Sequence, residues 1–120
     1  MRKGISAILQ ERHPNLTEKQ IAQFQQYHRI LVEVNQVMNL TAITEEDEVG
    51  VKHFADSLTL LPYLKRFGVK SLADIGTGAG FPGIPLKIAC PELQVTLIDS
   101  LEKRGGFLNR VIAELGLAGI

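Results

Sequence analysis

Cysteine is almost absent. Among 120 residues there is only Cys90, so an internal disulfide is excluded and a reducing, cytoplasmic setting is the simpler expectation. An excess of one charge is also missing. Thirteen basic residues offset thirteen acidic ones, which gives no whole-chain argument for a nucleic-acid partner and none against a local basic patch. No apolar run approaches the roughly 20 residues that a membrane-spanning helix needs. The basic start, MRKGISAILQERHP, is broken by Gln10, Glu11 and Arg12, so it does not read as a signal peptide. There is no internal repeat and no low-complexity tract. The three histidines and one cysteine form no ligand-spaced cluster, and no metal is expected. What is present, 45% hydrophobic and 22% charged residues, suits a globular domain, and the length suits one small domain or part of a larger one.

The first 65 or so residues read as helical. In LTEKQI, Thr17 can cap free amides while Gln20 reaches back to it, and Leu16 and Ile21 are placed for a hydrophobic staple. Apolar residues then recur at Ile21, Phe24, Leu31 and Met38, widened by Tyr27, Ile30, Val34 and Val37. That stripe predicts one long helix fading near Asn39. Asn39 and Thr41 in NLT are expected to form a helix-end cap and turn, or else to touch RNA or a cofactor pocket. His28 on the stripe reads as a core or boundary histidine.

Thr44 is placed to cap a second helix. The acidic run Glu45 to Glu48 suits its positive dipole end. Val49, Phe54, Leu58 and Leu61 supply an inner face, and Pro62 and Gly68 mark the end and the loop beyond. His53 lies three residues before Asp56, where a His–Asp hydrogen bond would fix the helix. Contact with RNA or cofactor is the alternative.

After Gly68 the pattern changes. SLADI reads as a buried strand, PGIPLKIAC as a helix with prolines in its first turn, and QVTLID as a second strand. LEKRGGFLNRVIAELG is an amphipathic helix with Phe107, Leu108, Val111, Ile112 and Leu115 inward and Gly116 as C-cap. Cys90 reads as a small buried residue. Strand, helix, strand, helix is the opening half of a doubly wound parallel sheet. Two strands alone leave faces and edges uncovered, so a fragment completed by something else is expected, with self-association through exposed edges as one outcome.

The loop LADIGTGAGFPG lies where such sheets bind ligands. Its glycines allow positive φ and close ligand approach. Counted from Gly76, the spacing is G-x-G-x-G over Gly76, Gly78 and Gly80, and Phe81 stands where a dinucleotide fingerprint has its third glycine. Asp74 precedes the loop, and Asp99 closes the second strand 23 residues after Gly76. This is similar to the S-adenosylmethionine loop of class I methyltransferases. Asp74 would hold the ligand's ammonium, directly or through water, and Asp99 its ribose hydroxyls. A nicotinamide-dinucleotide domain and a purely structural turn are the alternatives.

NQVMNLTAI, KHFADSL, DIGTGAGFPGIPL and LIDSLEKRGGFL together resemble the N-terminal half of the ribosomal RNA small subunit methyltransferase G family, also named glucose-inhibited division protein B. The resemblance implies an α/β fold: N-terminal helices over residues 1–66, then the first β-α-β-α half of a Rossmann-like methyltransferase sheet over 67–120. It also implies S-adenosylmethionine as cofactor and N7 of a guanine in bacterial 16S ribosomal RNA as acceptor. Gly76 and Phe81 would belong to the cofactor site and Asp99 to the ribose, with Asp74, Thr77, Gly78, Gly80 and Ser100 as further candidates. Lys103 and Arg104, at the carboxyl edge of the sheet, are candidates for RNA phosphate contact, as are Asn39 and His53 for RNA; a solvated first turn is the alternative for the two cations. Family members are about twice this length, so this chain is expected to bind cofactor weakly or not at all and not to turn over by itself. A non-catalytic binding or folding module is the rival expectation. Two departures stand out: Val34 sits where tryptophan is frequent, and Gly105 and Gly106 fall early in the last helix, where each costs about 1 kcal/mol relative to alanine.

Overall fold

The computed structural model describes residues 4–43 and 45–120. Helix α1 spans Gly4–Arg12 and α2 spans Glu18–Asn35. The capping box forms as the sequence predicts: Thr17 Oγ1 accepts from Gln20 N at 3.1 Å, and Thr17 N donates to Gln20 Oε1 at 2.8 Å. The stripe Ile21, Phe24, Tyr27, Ile30 and Leu31 is buried. The helix stops four residues earlier than Asn39. Asn35 Oδ1 accepts from Leu40 N at 2.7 Å and Thr41 N at 3.0 Å, so its amide competes with the helix ladder and turns the chain back. The C-cap is therefore Gln36, and Asn35 holds the turn beyond it. Asn39 is exposed, and Val37, 88% exposed, lies off the stripe.

The expected second helix is broken into α3 (Glu46–Glu48), a π-helical segment (Val49–Ala55), α4 (Asp56–Leu58) and α5 (Leu61–Arg66). Pro62 opens α5 instead of ending a helix, because a first-turn residue needs no amide donor. Val49, Phe54 and Leu58 are buried as expected, whereas Leu61 is only partly so. The expected Thr44 cap lies outside the described residues. The acidic run serves a second helix as well. Asp47 Oδ1 accepts from Gly4 N at 2.8 Å and Glu46 Oε1 from Ile5 N at 3.0 Å, which satisfies amides that the start of α1 leaves open.

Strands β1 (Ser71–Ile75) and β2 (Gln94–Ile98) pair in parallel, from Ser71 opposite Gln94 to Ile75 opposite Ile98. Helices α6 (Gly83–Ala89) and α7 (Glu102–Leu115) follow the two strands. Helix α6 packs on the sheet face that carries Asp74 and Leu97, and α2 packs on both α6 and α7. The other face is open, with Ile75 78% and Ile98 46% exposed. After Gly116 closes α7 in the left-handed conformation, the chain returns along the outer edge of β2, where Val95 N donates to Gly119 O at 2.9 Å. One apolar cluster joins Phe24, Tyr27 and Phe54 of the helical region to Ile84, Leu86, Val95, Phe107 and Val111, so the two sequence regions share a core.

Phe107, Leu108, Val111 and Leu115 are buried in α7 as predicted, and Ile112 only partly so. The helix runs unbroken through Gly105 and Gly106, and a Cβ added at either would meet nothing within 4 Å. Gly105→Ala and Gly106→Ala should each therefore stabilise the chain by about 0.5–1 kcal/mol. Urea midpoints that fail to rise would contradict this. Cys90 departs from expectation: it is half-buried rather than buried, with Sγ 3.4 Å from Glu92 Oε1. No described helix is long and apolar enough to cross a membrane.

Candidate functional site

The glycine loop leaves β1 at the carboxyl edge of the sheet. Gly76 N and Thr77 N donate to Ile98 O at 2.7 and 3.1 Å, so the end of β2 guides the chain into the turn. Gly76, Gly78 and Gly80 have φ of +71°, +59° and +99°, the region that residues with a Cβ avoid. Asp74 is buried beneath the loop. Its Oδ2 accepts from Thr77 Oγ1 at 2.6 Å and from Gly83 N at 2.9 Å. One carboxylate oxygen thus ties the loop's start to the first turn of α6. The Thr77 hydroxyl faces inward on the same bond. From below, the buried Tyr27 donates its hydroxyl proton to Ala79 O.

Asp99 stands across the loop from Asp74. Its Oδ2 accepts from Gly78 N at 2.8 Å and its Oδ1 from Leu101 N at 3.0 Å, with Arg104 Nη1 3.3 Å from Oδ2. The amides of Leu101 and Gly78 hold its carboxyl below the usual carboxylate range, and Arg104 adds to this. Ser100 is exposed beside it, and both line a cleft of about 420 Å³ floored by Leu97, Leu108 and Ile112. Lys103 is exposed on the first turn of α7, while Arg104 is turned back onto Asp99. Arg110 lies two turns on and pairs with Glu33 and Glu114.

His53 does not bond Asp56. Its Nε2 is 2.9 Å from Thr41 Oγ1, and its ring lies flat on Phe81, centroids 4.3 Å apart at 11°. The π-helical turn explains the difference, because its wider winding takes residues three apart off a shared face. Thr41 Oγ1 also accepts from Ile43 N at 3.1 Å, so the hydroxyl joins the His53 ring to the turn after α2 in either imidazole tautomer. Burial lowers the His53 pKa below the ordinary 6.5, partly opposed by Asp56. A folded-state value below the unfolded one means that this contribution to stability is complete above about pH 6.5 and falls as pH drops toward the folded value. An NMR titration should place the His53 midpoint under 6.5. A midpoint at or above it would contradict the dominance of burial over Asp56.

Of the candidates, Asp74, Gly76, Thr77, Gly78 and Gly80 form one loop, with Asp99 bonded to it through Gly78. His53 joins the group through Phe81. Asn39 is exposed in the segment after α2. Two residues escaped sequence reasoning. Tyr27 looked like one more stripe residue, and nothing local marks its hydroxyl as the loop's support. Gly83 carried a legible signal: counted from Gly78 rather than Gly76, the glycines read G-x-G-x-x-G. It serves close helix–strand packing, for a Cβ there would lie 2.4 Å from Leu97 Cδ2 and 2.9 Å from Asp74 Oδ2.

Residues 20–120 match the family model described as GidB, rRNA small subunit methyltransferase G. Among curated proteins, the ribosomal RNA small subunit methyltransferase G of Staphylococcus epidermidis is 53% identical over 116 residues, covering 97% of this chain and 48% of that protein. The protein of the same name from Exiguobacterium sibiricum is 50% identical over 112 residues, 93% of this chain and 47% of its own length. That from Desulforamulus reducens is 55% identical over 106 residues, 88% and 44%. The chain spans about half the length of these relatives. With its glycine loop between two carboxylates and its α/β architecture, the chain belongs to the rRNA small subunit methyltransferase G family.

Proposed function

We propose that this chain supplies the cofactor-loop half of a cytoplasmic, S-adenosylmethionine-dependent enzyme that methylates N7 of a guanine in 16S ribosomal RNA of the bacterial small subunit. The observation that carries this reading is the position of Asp74 at the first turn of α6, bonded to Gly83 N. A dinucleotide site needs that helix end for a pyrophosphate. Here the amide already serves a carboxylate, which would repel one. A ligand with an ammonium group and a ribose, and no phosphate, suits Asp74 and Asp99. Among the described residues, Ala79 N is the amide between Gly76 and Ile84 with no acceptor, so it is the donor left for a ligand oxygen. Asp99 offers its oxygens to a ribose once Arg104 yields them. Ser100 and Lys103 flank that end of the sheet, Lys103 facing RNA phosphate.

S-adenosylmethionine supplies an electrophilic methyl group on a sulfonium. Guanine N7 has a lone pair and no proton to lose, so the chain's residues need only orient and hold, and no general base is required. The open sheet face, with Ile75 and Ile98 exposed, leaves a surface for a further helical layer, and the edges of the two-stranded sheet leave room for further strands or for self-association.

Calorimetry with S-adenosylmethionine, on this chain and on one of the relatives' length, tests the reading. Asp99→Ala in the longer chain should weaken cofactor binding about ten- to hundredfold, as loss of hydrogen bonds to a charged group does, with RNA affinity little changed. Equal cofactor affinity for variant and parent overturns the ribose assignment. Absence of binding by the longer parent overturns the cofactor itself.

A further inference from the structure

Two successive residues of the π-helical segment, His53 and Phe54, reach the same ring. Phe81 lies 4.3 Å from the His53 ring and 6.0 Å from that of Phe54, with Tyr27 at 5.6 Å. The wide turn of a π-helix brings neighbouring side chains nearer one face than an α-helix does, and such segments gather at functional sites. Phe54 belongs to the core and stacks on Tyr27 at 5.2 Å. His53 is different. It is half-buried beside a cleft of about 360 Å³ that Lys52, Asp56, Phe81 and Pro82 line, and its Nε2 is held by Thr41. Thr41 is in turn fixed by Asn35, whose Oδ1 accepts from its amide at 3.0 Å. An unbroken line of contacts therefore runs from the end of α2, through the NLT turn and the π-helical segment, to the residue that follows Gly80.

We propose that His53 is a positioning residue for the glycine loop: held edge-on by Thr41 and stacked flat on Phe81, it sets the Phe81 ring and through it the backbone of the loop from Gly78 to Phe81. This rests on the cofactor reading above for what the loop binds, and on geometry alone for how the loop is held. The stack covers one face of Phe81, so this residue meets a ligand through its backbone and ring edge. Stacking needs a planar ring and the Thr41 bond needs a ring nitrogen. Histidine supplies both, and phenylalanine only the first. Phe81 N and Gly80 N both donate to Thr77 O, at 3.2 and 3.0 Å, so a shifted ring pulls directly on the loop's own turn.

The test compares His53→Ala, His53→Phe, Thr41→Val and Thr41→Ser with the parent, each in a chain of the relatives' length, by NMR of Phe81 ring protons and of the Gly78 and Gly80 amides, and by S-adenosylmethionine titration. His53→Ala should shift all three sets of resonances and weaken cofactor binding about tenfold. His53→Phe and Thr41→Val should produce smaller shifts of the same kind. Thr41→Ser, which keeps the hydroxyl, should restore parental spectra and affinity. Parental Phe81, Gly78 and Gly80 resonances in folded His53→Ala overturn the proposal. So does an affinity in His53→Ala equal to the parent's, where the parent binds. If the parent binds no cofactor, the ligand reading fails, while the resonance shifts still decide whether His53 positions the loop.

Discussion

Gly80→Ala should destabilise the folded chain by about 3 kcal/mol, from two additive causes. The backbone at Gly80 has φ +99°, and left-handed geometry costs a residue with a Cβ roughly 1–2 kcal/mol. The new methyl would also lie 2.6 Å from both Ile84 Cδ1 and the Tyr27 hydroxyl. Overpacking of that kind adds about 1–3 kcal/mol. Moving Tyr27 aside breaks its bond to Ala79 O and loosens the loop the cofactor is proposed to meet. Gly78→Ala is the internal control. Its φ is +59° and an added Cβ meets nothing within 4 Å, so only the left-handed cost of about 1–2 kcal/mol applies. Urea unfolding of the two variants should therefore rank Gly80→Ala well below Gly78→Ala. Equal losses would show that contact with Tyr27 and Ile84 does not matter.

Lys87→Met should cost about 2–3 kcal/mol, since two carbonyls, one of them buried, lose a charged donor. Lys87 is only 2% exposed. Its ammonium donates to Pro91 O at 2.6 Å and Leu93 O at 2.5 Å, closing the turn between α6 and β2. Methionine matches the stem but leaves Leu93 O buried without its donor, while Pro91 O, on an exposed residue, turns to water. The loss should spread to the end of the chain, because a Cβ on Gly119 would sit 3.1 Å from Lys87 Nζ and Gly119 O accepts from Val95 N. Hydrogen exchange at Val95 should then accelerate more than at Ala73 or Asp74 inside the sheet. A parental urea midpoint with unchanged Val95 exchange would refute the role assigned to Lys87.

Much of the fold was legible from local pattern. Thr17 and Gln20 carry their own capping geometry, Gly116 carries its C-cap, and SLADI and QVTLI carry strand composition, so each element follows from neighbours close in sequence. The loop's glycines and its two flanking aspartates were legible for the same reason, and the match across residues 20–120 placed the chain in its family. What local pattern missed involves partners far apart in sequence. The π-helical segment looked like ordinary helix, because apolar spacing at Val49, Phe54 and Leu58 does not record which carbonyl each amide will meet. Asn35 ended α2 early by bonding amides five and six residues on.

By itself, then, the sequence determined the order of the elements, the conformational freedom of the glycine loop and the presence of a carboxylate at the end of each strand. Those depend on residue type and short spacing. Only the tertiary structure decided what those groups do. It placed the hydroxyl of Tyr27 under Ala79, 52 residues away, turned His53 from Asp56 to Thr41 and Phe81, and put Asp74 at the start of α6. Such pairings form because a buried polar group must find a partner wherever packing brings one.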